Sequence, residues 1–157
     1  MRAAVTPQHR VWEAAGEVQG VLVALHGASG SIVNDGDYRQ PTTVFGWRVA
    51  MLQSTQSWAP NRYHWADTAQ ALAELRQYLA ALAPMPVTVI AGFSMGAALA
   101  VRAALSRTVA VNQFLTVAPA ISLEQVEPLL TNPDPHIQGH DLDSLLQPML
   151  EWVITLQ

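Results

Sequence analysis

A chain of 157 residues, half of them hydrophobic and only 13% charged, is long enough to bury one core and reads as a single domain over 1–157. A formal charge of −4 with eight Lys plus Arg excludes the clustered basic footprint that nucleic-acid binding needs. The absence of cysteine excludes disulfides, thiolate metal sites and a thiol nucleophile. No apolar run approaches the ~18 residues of a membrane span. The stretch from Met1 to Pro7 lacks a signal-peptide core, so the expected compartment is the cytoplasm, with no membrane partner.

In chain order, Arg10 to Ala15 reads as an antiparallel edge strand that turns through Gly16 to Gly20. Val21 to Leu25 is an uninterrupted apolar strand ending in His26-Gly27-Ala28-Ser29-Gly30. A polar loop from Ser31 to Thr43 leads to a strand near Trp47 to Leu52, followed by Pro- and Trp-containing loop material from Gln53 to Trp65. Trp65 to Leu82 is predicted as an amphipathic helix with Leu72, Leu75, Leu79 and Leu82 on one face. Asp67 falls in its first turn, where the helix dipole favours a negative charge, and Pro84 and Pro86 end it.

Pro86 to Ala91 is a buried, β-branched strand, and Ala97 to Leu105 a helix without a breaker. Asn112 to Ala118, carrying Phe114, Leu115 and Val117, is the next strand, closed by Pro119. A short helix over Ile121 to Leu130 and a final one over Ser144 to Leu156 complete the pattern. Strands alternating with helices predict an α/β fold: a three-layer α/β/α sandwich around a mostly parallel sheet.

Between the Pro86 strand and the Ala97 helix stands Gly92-Phe93-Ser94-Met95-Gly96. A serine at the tip of a strand-to-helix turn, with glycines two before and two after, has the pattern of a nucleophile elbow. Such a turn projects the hydroxyl outward and sets the Met95 N–H at a helix N-terminus, where a developing oxyanion is stabilised. Acyl transfer needs a second backbone donor from the loop after a neighbouring strand, and His26 to Gly30 is the candidate.

With these two motifs in hand, the chain resembles the α/β-hydrolase superfamily, in particular the small phospholipase/carboxylesterase-like serine esterases, from about Val11 to Ala120. The resemblance implies Ser94 as nucleophile and the N–H groups of Ala28 and Met95 as the oxyanion hole. His26 would organise its loop rather than act as the base. There is no room for a lid domain between the Phe114 strand and Asn132, which suits short soluble acyl esters or thioesters. The implied activity is ester hydrolysis through an acyl-serine intermediate, with a small-molecule ester as substrate and no cofactor or metal.

The base and its orienting acid leave two alternatives. In one, Gly139-His140-Asp141-Leu142-Asp143 is the acid loop, with Asp143 or Asp141 as the acid and the Ser144 helix behind it, and the hydrolase is short of its histidine. In the other, Gly139-His140 is the histidine loop, His140 is the base, and the acid-bearing unit is lost. A rival reading is a catalytically silent hydrolase-fold domain that binds a ligand or a partner chain. Loss of the last strand would expose a sheet edge that invites pairing with a second copy. Among the remaining candidates, His9, His64 and His136 read as surface residues. Asn34-Asp35-Gly36-Asp37 reads as a solvated turn rather than a calcium loop, for want of further ligands. Trp58, Tyr63 and Trp65 fit either a pocket wall or an aromatic core. Arg39 and Arg48 have no evident anionic partner in the sequence.

Overall fold

The computed structural model describes residues 8–35, 40–82, 84–107, 109, 111–122 and 124–126. The chain divides into two units, Met1–Ile121 and Ser122–Gln157. The first holds a five-stranded sheet built from β1 (Gln8–Trp12), β2 (Gly20–Leu25), β3 (Trp47–Gln53), β6 (Thr88–Phe93) and β7 (Gln113–Val117). A small hairpin of β4 (Gln56–Ala59) and β5 (Arg62–His64) follows β3. Among the described residues the unit also has two α-helices, α1 (Thr68–Ala81) and α2 (Met95–Ser106).

The strand order is β1-β3-β2-β6-β7, parallel throughout except for β1, which runs antiparallel along β3. The expected edge strand is thus present, but it starts two residues earlier than expected. It pairs with β3 rather than with its sequence neighbour β2, because β3 lies between them in the sheet.

Side chains alternate across the sheet. Val21, Val23, Leu25, Ala50, Leu52 and Ile90 point to one face, where Ala71, Leu75 and Tyr78 of α1 and Leu99, Ala100 and Ala103 of α2 cover them. Leu22, Val49, Val89 and Ala91 occupy the opposite face and are also buried, with Trp12, Trp47 and Val87 packed around them. Burial on both faces explains why β2 reads as a continuous apolar run. Each fully buried aliphatic side chain there contributes roughly 1.5–3 kcal/mol.

Helix α1 begins later than the periodicity predicts. Asp67 is its N-cap, not a first-turn residue, and its carboxylate accepts the Gln70 N–H at 3.0 Å. The leucine face is also rotated. Ala71, Glu74, Leu75 and Tyr78 are the buried positions, while Leu72, Leu79 and Leu82 flank them.

Gln53 to Trp65 is not plain loop: Pro60 followed by Asn61, at φ 55°, turns β4 back onto β5. The end of the expected Ser31–Thr43 loop belongs to a 3-10 helix, Gln40–Phe45. In the second unit, Glu124, Gln125 and Val126 are helical, and the Ser122 N–H donates to Gln125 Oε1 at 2.9 Å as in a capping box. Ile121 and Ser122 are not helical, so the helix starts later than expected, while Leu123, Glu127 to Leu130 and the whole Ser144–Leu156 helix lie outside the described residues. No described helix is long and apolar enough to cross a membrane.

Candidate functional site

The order of the sheet decides where a site can form. From β2 the chain goes first to β3 on one side, then returns past β2 to β6 and β7 on the other. At such a switch point the loops leaving the carboxyl ends of the two central strands diverge and leave a crevice. Here those strands are β2 and β6, in register at Leu25 and Gly92. The two motifs singled out in the sequence are the two loops that leave those strand ends.

Ser94 joins β6 to α2 with φ 52° and ψ −113°, a conformation that costs a residue with a Cβ of order 1–3 kcal/mol. Three backbone bonds hold it there. Its N–H donates to the Val117 carbonyl, and its own carbonyl accepts from the N–H groups of Ala98 and Ala120, all at 3.0 Å. Its side chain, half-buried, makes no capping bond to α2. The N–H groups of Met95, Gly96 and Ala97 precede the first i→i−4 bond of the helix, so the positive end of α2 lies beside the hydroxyl.

The flanking glycines are required by close approach. A Cβ on Gly92 would lie 2.5 Å from Ala97 N, and closer still to the Gly96 carbonyl. A Cβ on Gly96 would lie 2.5 Å from the carbonyl oxygens of both Leu25 and His26. The end of β2 therefore abuts the first turn of α2 backbone to backbone, and Gly27 lies against Phe93. Ala28 is exposed on the loop that follows.

His26 is 1% exposed and fully engaged. Its Nδ1–H donates to Gly27 O at 2.8 Å, and its Nε2 accepts the Ser54 N–H at 3.1 Å. These two bonds fit one neutral tautomer and leave no nitrogen for substrate. The ring stacks on Trp65 at 4.7 Å, and the Trp65 indole N–H donates to the His26 carbonyl at 2.9 Å. His26 thus fastens the β2 loop and is not placed as a proton shuttle.

The β4–β5 hairpin holds the same loop further along. The Tyr63 N–H donates to Gly30 O at 3.1 Å, and Asp35 Oδ2 accepts the Ser31 N–H at 2.9 Å. Of the three aromatics, Trp65 is core, Tyr63 is half-buried beneath the loop, and Trp58 is 61% exposed.

Burial lowers the His26 pKa below its usual value near 6.5, opposed mainly by the bond to Gly27 O. The unfolded chain therefore binds this proton at a higher pH than the folded one. His26 supports folding fully above about pH 6.5 and progressively less as the pH falls. Thermal melts should show Tm dropping between pH 7.5 and 5, with a shallower drop in His26→Gln. Equal slopes in the two proteins would contradict this account.

His140, Asp143, Asp141 and His136 lie outside the described residues, as do Gly36, Asp37 and Arg39. Arg48 does have an anionic partner: its Nε meets Glu13 Oε2 at 2.9 Å across the exposed margin of the sheet. His9 is exposed, yet its ring rests 5.1 Å from Tyr78. His64 is half-buried, edge-on to Trp58 at 6.0 Å, so of the two only His9 is the surface residue expected. No group of three or more metal-ligating side chains occurs among the described residues.

Two features were not read from the sequence: the hairpin that clamps the β2 loop, and the buried Glu74 on α1. The Pro60-Asn61 pair was a usable turn signal, and Glu74 falls within the 71, 74, 75, 78 spacing of a buried helical stripe.

A mostly parallel sheet in this order, with an antiparallel edge strand and a positive-φ serine between a central strand and its helix, is the α/β-hydrolase fold that the two motifs implied. An uncharacterized protein from Bacillus cereus ATCC 10987 shares it with a TM-score of 0.67 and 22% identity, over 83% of this chain and 42% of that one. Zea mays acyl-protein thioesterase 2 matches with a TM-score of 0.62 and 12% identity, over 80% of this chain and 68% of that one. A phospholipase/carboxylesterase from Dyadobacter fermentans DSM 18053 matches with a TM-score of 0.56 and 16% identity, over 95% and 82%. The chain spans less than half the length of the Bacillus protein. No protein-family model and no curated protein matches the sequence.

Proposed function

We propose that the chain is a serine hydrolase of short-chain carboxylic esters or thioesters, with Ser94 at a nucleophile elbow. The observation that carries this reading is the strained Ser94 turn, over-determined by three backbone bonds and opposed to the β2 loop at the switch point. Strain of this kind persists where the surroundings enforce it, and it keeps the hydroxyl out of the helix cap. The names of the maize and Dyadobacter proteins, a thioesterase and a phospholipase/carboxylesterase, support the same reaction class.

In this mechanism Ser94 Oγ attacks the acyl carbon, and its proton passes to His140, with Asp143 or Asp141 of the same loop orienting it in place of the lost acid-bearing unit. The N–H groups of Met95 and Ala28 receive the charge that develops on the carbonyl oxygen. Collapse expels the alcohol or thiol, which takes the proton back from the base. Water, activated by the same base, then cleaves the acyl-serine and restores Ser94.

The test is turnover of p-nitrophenyl butyrate together with labelling by a fluorophosphonate, read by intact mass. The native chain should turn over and gain one phosphonyl group, and His140→Ala should lose most of the turnover. Full turnover in His140→Ala would place the base elsewhere. A native chain inert to both reagents would favour the silent hydrolase-fold domain.

A further inference from the structure

We propose that Glu74 is a positioning residue for the loop after β2, acting through Thr55, Ser54 and His26, an inference that rests on that loop supplying an oxyanion donor. Glu74 is only 6% exposed, an unusual setting for a carboxylate, and the reaction described above makes no use of it.

Both of its oxygens are committed. Oε2 accepts the Thr55 N–H at 3.2 Å, and Oε1 takes the Thr55 hydroxyl and the Gln70 side-chain amide, the latter at 2.9 Å. The same Gln70 amide donates to Thr55 Oγ1 at 2.7 Å, so the hydroxyl has its own proton aimed at Glu74. Every contact of the carboxylate is with a donor, and two of those donors belong to one residue at the carboxyl end of β3.

The residue before Thr55 is the link. The Ser54 N–H is the donor to His26 Nε2, and the Ser54 hydroxyl accepts the Gln56 N–H at 3.0 Å. Glu74 therefore fixes the peptide on one side of Ser54, and His26 reads the peptide on the other. His26 in turn holds Gly27, the residue before Ala28. The line from α1 to the loop runs through bonds whose partners are buried or half-buried, where an unpaired donor is costly. A carboxylate suits this position because it can accept from all three donors at once. An amide would turn its own NH2 toward one of them.

Donor placement in an oxyanion hole is exacting, and small displacements are expensive in rate. Glu74→Leu should slow phosphonylation of Ser94 and lower kcat by about tenfold, with KM within about twofold of native. Glu74→Gln, with the same shape and one acceptor fewer, should fall by about threefold and serves in its place if Glu74→Leu does not fold. A second readout does not depend on catalysis. Ring 15N shifts of His26 should report an Nδ1–H tautomer in the native chain and a mixture of tautomers in the Glu74 variants.

Native tautomer and native reaction rate in a folded Glu74 variant, with only Tm reduced, would overturn the proposal and leave Glu74 a packing residue. If the native chain itself does not react with the probe, the hydrolase reading fails. The His26 spectrum then decides whether Glu74 sets the loop: a mixture upholds the linkage, and an unchanged tautomer overturns it.

Discussion

Ser94→Ala is expected to abolish phosphonylation and to lower ester turnover by roughly 10⁴-fold or more, with the fold intact. The alanine keeps the Cβ, the turn and its three backbone bonds, and removes only the hydroxyl. Ser94→Gly separates the chemistry from the strain. It removes the hydroxyl as well, but it also relieves a residue held at φ 52°, so it should raise stability by about 1 kcal/mol or more while being equally inert. For a chain of this length that is a rise in Tm of about 2–4 °C per kcal/mol. A stabilised, inactive Ser94→Gly beside an inactive Ser94→Ala would mark the turn as strain retained for function. Undiminished turnover in Ser94→Ala would rule out the acyl-serine mechanism.

The second large effect is expected at Gly96. By helix propensity alone, Gly→Ala inside a helix gains close to 1 kcal/mol. Here the sign should reverse, because the added Cβ meets the carbonyl oxygens of Leu25 and His26 at 2.5 Å, and neither belongs to a side chain that can swing away. To accept it, α2 must lift from β2, which opens the packing of Leu99, Ala100 and Ala103 on the sheet and displaces the loop at Gly27. Gly96→Ala should therefore cost about 3 kcal/mol or more, lowering Tm by about 10 °C, and should remove probe reactivity even in the folded fraction. Thermal melts by circular dichroism measure the first effect and labelling of refolded protein the second. A stability equal to native would show that the helix can yield at this contact.

These predictions rest on positions that were legible in the sequence for local reasons. The apolar runs at Val21 and Val89 are strands whose burial on both faces suppresses any alternation, and the alanine-rich segment after Gly96 has no competing structure. Gly92, Ser94 and Gly96 declared their turn because each lies within four residues of the others. The hairpin from Gln56 to His64 was read as loop because its strands are short and carry no fully buried residue. Its stability comes from elsewhere: the Gly30 bridge and the paired bonds between the Gln56 side chain and the Asp67 main chain, at 2.8 and 2.9 Å. The face of α1 was misplaced by one position for a similar reason. A leucine count cannot anticipate that a carboxylate will be buried to meet Thr55.

By itself, the sequence determined the α/β class, the strand-to-helix position of Ser94 and the adjacency of His26 to a glycine-bearing loop, since each depends on periodicity or spacing within a dozen residues. Only the tertiary structure decided that β3 lies between β1 and β2 and that the β2 and β6 loops leave the same end of adjacent strands. The same holds for His26 being spent on Ser54, and for Glu74 reaching the end of β3. Those outcomes depend on pairings between residues 19 to 67 positions apart, such as Thr55 with Glu74, Ser54 with His26, and Leu25 with Gly92. No local pattern encodes such pairings, because the free energy that selects them is released only when the whole sheet closes on its helices.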